Sequence, residues 1–249
     1  MSRPHKQGEG PRAKVDATRA SEQGATVRRR NLAVTVTVIA MFVVVVAVVI
    51  AVNRFGSSTG QSGSPGAAGT VAAAQLVRPD SHRLQTATDG KVTLVEFLDF
   101  ECEGCRAVFP VVEQLRKDYA GKVTFVVRYF PLPGHFNAER AARAVEAAAQ
   151  QGTFEAMYRR MYETQTQWGE KQVPADDVFR GFAKDLGLDM AAWEKAYADP
   201  ATLRRIKADV ADGQAASVEG TPAFFLNGTK LKPNSLEEFK AAIDAALAQ

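Results

Sequence analysis

The sequence predicts an α/β domain of order β-α-β, helical insert, β-β-α, preceded by a single transmembrane helix. Three observations carry that expectation. Residues 32–52 are an uncharged apolar run, residues 91–130 follow a strand–helix–strand pattern, and strand periodicity returns around an Asn-Gly pair at 227–228.

The chain begins with charge. Residues 1–30 hold eight of the 31 Lys/Arg and three of the 28 Asp/Glu, so the remainder is slightly acidic despite a net charge of +3. The basic character therefore belongs to the tail, and a folded basic surface for nucleic acid is not expected. The tail itself, rich in charge, Gly and Ser, is expected to be disordered. Residues 31–53 are then a transmembrane signal anchor. About 20 apolar residues span the ~30 Å hydrocarbon core, whereas a cleaved signal peptide has an apolar region of only about 7–15 residues. Arg28, Arg29 and Arg30 on the N-terminal flank put that flank in the cytoplasm by the positive-inside rule. Everything after the anchor is then extracytoplasmic. Residues 54–72, rich in Gly and Ser, form a flexible linker.

The folded domain is expected over 73–249. Val92, Leu94, Val95, Phe97 and Leu98 make residues 91–99 a nearly continuous apolar strand of the centrally buried kind. Val108, Val111, Val112 and Leu115 recur at helical spacing over 103–119, and Gly121 closes that helix. Residues 123–130 give a second strand, so the unit should build a parallel pair. A helical insert over about 137–217 follows, with stripes at Ala138/Ala141/Ala142/Val145, Phe154/Met157/Tyr158/Met161, Val178/Phe179/Phe182/Leu186 and Trp193/Tyr197. Gly152, Pro174, Gly187 and Pro200 punctuate it. These stripes are packing faces. Residues 223–226, Asn227-Gly228 and residues 229–232 form a hairpin with a type I′ turn. Ser235 and Glu238 form a capping box at the start of a last helix.

The chain has two cysteines, Cys102 and Cys105. That number excludes a disulfide scaffold, and with His5, His82 and His135 scattered along the chain no metal site is expected. The pair sits where a buried strand turns into a helix. The first backbone N–H groups of a helix lack intrahelical partners and favour nearby negative charge. A thiol there ionises readily, and the thiolate is the species that attacks a disulfide. Cys102 is the expected nucleophile and Cys105, one turn on and deeper, the resolving thiol. The only redox group required is the Cys102–Cys105 disulfide; no other cofactor is expected.

Residues 95–105, Val-Glu-Phe-Leu-Asp-Phe-Glu-Cys-Glu-Gly-Cys, together with residues 220–228, Gly-Thr-Pro-Ala-Phe-Phe-Leu-Asn-Gly, resemble the DsbA-like branch of the thioredoxin superfamily. The resemblance is closest to its membrane-anchored actinobacterial forms and covers about residues 75–249. It implies a thioredoxin fold with an inserted helical subdomain. It also implies a cis peptide at Thr221-Pro222 opposite the cysteines, where backbone pairs with an extended substrate segment. Glu96, six residues before Cys102, matches a family acid buried beneath the pair; desolvation would raise its pKa and suit it to exchange a proton with Cys105. The dipeptide departs from the family's oxidising extreme, since Glu103-Gly104 stands where Pro-His is frequent. A carboxylate beside the sulfur, with no histidine to compensate, is expected to raise the Cys102 pKa and weaken the oxidant. His135 recurs in such relatives and is expected to be a helix-entry residue outside catalysis.

The resulting expectation is a single-pass cell-membrane protein whose outer domain introduces disulfides into exported proteins, with a membrane reoxidase as partner. Its rivals are an isomerase or reductase of exported thiols, a non-catalytic membrane-anchored chaperone or binding module, and a metal-delivery protein.

Overall fold

The computed structural model describes residues 76–249. The tail, the anchor, the linker and residues 73–75 of the expected domain lie outside the described residues. Among the described residues no helix is long and apolar enough to cross a membrane.

Five strands form one sheet of order β1-β3-β2-β4-β5: β1 (His82–Gln85), β2 (Val92–Leu98), β3 (Val123–Tyr129), β4 (Ala223–Leu226) and β5 (Thr229–Leu231). β2 and β3 are parallel, joined through α1 (Glu103–Asp118), and every other pairing is antiparallel. Both faces of β2 and β3 are covered, which is why their sequences are apolar almost throughout. Alternation sorts them. Leu94 and Leu98 face the larger core with Phe125, Val127 and Phe224, while Val95 and Phe97 face the smaller one with Val126, Phe130 and Phe225. Glu96 shares the face of Leu94 and Leu98, on the side of α1.

The insert between β3 and β4 is five helices: α2 (Ala138–Ala149), α3 (Phe154–Trp168), α4 (Asp176–Asp185), α5 (Met190–Ala198) and α6 (Pro200–Ala215). α2 touches all four others. Its alanines let those helices approach, and Ala141, Ala144, Val145, Ala147 and Ala148 are fully buried. Pro200 does more than end a helix: it sits at the first turn of α6, where its missing N–H costs nothing, and Asp199 caps that helix by accepting from the Ala201 N–H at 2.7 Å. The chain closes with α7 (Leu236–Leu247).

The Asn227-Gly228 turn has φ of 47° and 85°, the two positive angles of type I′. The capping box is altered. Ser235 accepts from the Glu238 N–H at 3.1 Å, but the Glu238 carboxylate reaches past the N-cap to the Asn234 N–H at 2.7 Å. β1 has no counterpart in the sequence expectation. It is a four-residue edge strand with a register shift between Arg83 and Gln85, too short and irregular to show a period.

Behind the sheet, the smaller core carries an ion-pair network. Arg128 Nε donates to Asp209 at 2.8 Å, and both side chains are fully buried. Arg128 also donates to Asp212, and Asp209 accepts from the Tyr129 N–H at 3.0 Å, so α6 is locked onto β3. Gly213 sits in the same contact. A Cβ there would lie 2.7 Å from Phe130.

Candidate active site

Residues 99–102 leave β2 and turn into α1, with Cys102 as the N-cap at φ −68° and ψ 122°. Cys102 is 9% exposed and Cys105 is fully buried; both are free thiols. The Thr221-Pro222 peptide is cis, and the Cys102 thiol donates to the Thr221 carbonyl at 3.4 Å. Gly104 completes the contact: a Cβ at that position would stand 3.4 Å from Pro222 and 3.6 Å from the Cys102 sulfur. The sequence motifs at 102–105 and 221–222, more than a hundred residues apart, thus meet at one point.

As a thiol Cys102 makes no capping hydrogen bond. Its thiolate is favoured by the Cys105 thiol, then by Thr221 and by the backbone N–H groups of Cys105 and Gly104. Against the opposing cost of burial, the Cys105 bond being the largest effect, these lower its pKa to about 5. The Thr221 hydroxyl is itself buried and makes no hydrogen bond. Cys105 moves the opposite way, pushed well above the ordinary thiol range by burial, then by donating to Cys102 and by the charge of Glu96.

Glu96 is 5% exposed, and its pKa is raised to about 8 by burial first and then by the charges of Glu113 and Cys102. It is therefore a buried acid that holds its proton at neutral pH. Around it and Cys105, Phe100, Phe109, Tyr158 and Tyr162 pack as an aromatic cluster with centroids 5.3–6.1 Å apart.

The expected effect of Glu103 does not appear. Its side chain is exposed, where water screens it, while the groups that act on the sulfur are backbone N–H, Cys105 and Thr221. The thiolate is favoured on balance, contrary to the raised pKa expected from the dipeptide. The dipeptide holds no histidine, but one from another element lies close by. His135 donates from Nδ1 to Asp99 at 2.6 Å, and the Cys102 charge acts on it.

Two further residues escaped the sequence. Gln165 on α3 is 3% exposed and donates to the carbonyls of Phe100 at 2.7 Å and Cys102 at 3.0 Å, while accepting from Arg106 at 3.0 Å. Glu101 is buried and accepts from the Asn137 N–H at 2.6 Å and the Glu170 N–H at 3.1 Å. Together they tie the insert to the cysteine turn. No local pattern marks a glutamine in an amphipathic helix as such a clamp.

Beside Pro222 an apolar groove of about 450 Å³ runs between α1 and α7. Val108, Val111, Phe224, Leu231, Leu236 and Phe239 line it, with Lys232 and Asn234 at its rim. Among the described residues no cluster of His, Cys, Asp and Glu could hold a metal ion.

Fold and site define a thioredoxin-fold dithiol protein with an inserted helical subdomain. The family model described as Thioredoxin matches residues 81–245, and the chain belongs to that family. It is 37% identical over 174 residues to a protein of Salinispora tropica named Na(+)/H(+) antiporter NhaA 3, covering 69% of this chain and 26% of that protein. A Herminiimonas arsenicoxydans protein named Na(+)/H(+) antiporter NhaA is 32% identical over 63% of this chain and 24% of its own length. The chain therefore spans about a quarter of the length of these relatives. Among solved structures, a thioredoxin-like oxidoreductase from Silicibacter pomeroyi aligns with a TM-score of 0.60 at 26% identity, over 71% of this chain and 98% of that one. Wolbachia pipientis alpha-DsbA1 aligns at 0.62 and 17% identity, over 70% and 94%. Bacillus subtilis BdbD aligns at 0.59 and 21%, over 66% and 92%. The fold is DsbA-like.

Proposed function

We propose that the protein is an extracytoplasmic thiol–disulfide oxidoreductase that introduces disulfides into exported proteins. The observation that carries this is the split of the two thiols: Cys102 lowered to about 5, Cys105 pushed up beneath it. Stabilising a thiolate favours the reduced protein over its disulfide, and so makes the disulfide a stronger oxidant. A value of about 5 lies between the roughly 7 of thioredoxin and the roughly 3.5 of the strongest oxidants of this fold.

The exchange balances as follows. In the oxidised protein, a substrate thiolate attacks Cys102 Sγ; the Cys102–Cys105 bond breaks and a substrate–Cys102 disulfide forms. Cys105 leaves as a thiolate and takes the proton of Glu96. A second substrate thiolate then attacks the substrate sulfur of the mixed disulfide and expels Cys102, which leaves readily because its thiolate is stable. Two electrons pass from the substrate dithiol to the cysteine pair. The groove beside Pro222 would hold the substrate's apolar side chains, with the Thr221 backbone beside its cysteine. A membrane reoxidase of the quinone-linked type would accept the two electrons and restore the disulfide.

The membrane placement rests on the apolar residues 32–52 and their arginine flank, with the N-terminus cytoplasmic. Antiport is not part of the proposal, since the match covers only about a quarter of the antiporter-named relatives. The direction of electron flow is tested by equilibrating the full chain with glutathione. A potential above about −200 mV supports the oxidase, and one near the roughly −270 mV of thioredoxin refutes it in favour of a reductase.

A further inference from the structure

The loop after β3 carries a titratable group that the exchange chemistry leaves unused. His135 donates from Nδ1 to Asp99 Oδ2 at 2.6 Å. The Asp99 side chain is fully buried and also accepts from the N–H groups of Glu101 at 2.8 Å and Leu132 at 2.9 Å. Its main-chain carbonyl accepts from the Cys102 N–H at 3.2 Å. One residue thus holds the imidazole with its side chain and the sulfur-bearing N-cap with its backbone. Burial raises the Asp99 pKa against the pull of these donors; in its ionised form the carboxylate is a strong partner for an imidazolium.

We infer that His135, hydrogen-bonded to Asp99, supplies in its protonated form the positive charge facing the Cys102 thiolate that the Glu103-Gly104 dipeptide lacks. The inference rests on the proposed role of Cys102 as the exchanging thiolate. His135 acts on the reaction through that sulfur and touches no substrate. The charged groups facing the ring are Asp99 and Glu101 at the end of β2, Cys102 at the start of α1, and Glu170 after α3. Burial opposes the imidazolium, but the Asp99 bond and charge, followed by the charges of Cys102 and Glu170, outweigh it and raise the His135 pKa. The ring is 23% exposed, so solvent weakens the coupling without abolishing it.

Linkage is reciprocal. If the imidazolium lowers the Cys102 pKa, the thiolate raises that of His135, and oxidation to the uncharged disulfide removes the effect. The test uses the full chain. Alkylation of reduced Cys102 by iodoacetamide is followed against pH by mass spectrometry for the wild type, His135→Gln and His135→Arg. The His135 pKa is measured by NMR in both redox states. His135→Gln raises the alkylation midpoint by about half a unit or more, His135→Arg restores at least half of that shift, and His135 titrates higher in the reduced protein. An unmoved midpoint in His135→Gln overturns the inference. So do equal displacements in both variants, which would mark a loop pin, and a His135 pKa independent of redox state. If wild-type Cys102 itself titrates like an ordinary thiol, the proposed function falls and takes the inference with it; an unmoved variant beside a low wild-type midpoint removes the inference alone.

Discussion

Replacing Glu96 with Gln should uncouple stability from pH over a defined window. In the folded chain the Glu96 carboxyl is raised from 4.5 to about 8, burial being the first cause. A carboxyl with a raised folded pKa stabilises the fold fully below its unfolded pKa, and loses that contribution as pH rises through the folded one. For Glu96 the window is pH 4.5 to about 8. At ~1.4 kcal/mol per unit, the loss is on the order of 3–5 kcal/mol, the lower figure allowing for relaxation around the buried charge. In the reduced protein Cys102 works in the opposite sense. Its pKa falls from 9.0 to about 5, so its contribution is full above pH 9 and is lost as pH drops through 5. Measuring the oxidised protein removes that term, while burial and Glu113 continue to act on Glu96. The assay is chemical denaturation at pH 5, 7 and 9, followed by the fluorescence of the buried Trp168 and Trp193. Wild type should lose several kcal/mol relative to Glu96→Gln between pH 5 and 9. A gap between the two proteins that stays constant within about 0.5 kcal/mol would refute the buried-acid argument.

Alkylation of wild-type Cys102 should show a midpoint near pH 5, with Cys105 unreactive until far more alkaline pH; similar midpoints for both would contradict the split of the pair. Gly213→Ala should destabilise the fold by about 1–3 kcal/mol by overpacking against Phe130, outweighing the helix preference of alanine. A gain in denaturation midpoint would show that the close approach of α6 is not required. Asp209→Ala should cost about 3 kcal/mol in the same measurement, because it removes a fully buried carboxylate from the buried Arg128 charge; a loss below about 1 kcal/mol would mean that the network holds α6 only weakly.

Much of this protein was legible in the chain as a string. β2, α1, β3 and the β4–β5 hairpin fall within a residue or two of their expected ends, because each is set by local periodicity, a terminating glycine or an Asn-Gly turn. The cysteines could be placed at a helix N-terminus from the strand-to-helix switch at 99–103 alone. Short-range signals did not reach β1, whose pairing with β3 is tertiary, or the second role of Pro200.

The character of the thiolate belonged to the tertiary structure. In the sequence Glu101 and Glu103 flank Cys102; in space Glu103 is exposed and screened, while Thr221, from more than a hundred residues later, stands at the sulfur. His135, Gln165 and Asp99 likewise converge on the cysteine turn from separate elements. Chain neighbours determine helix, strand and turn, because those are local hydrogen-bond and packing choices. Electrostatics acts through space and depends on burial, so only the assembled fold decides which groups a sulfur faces.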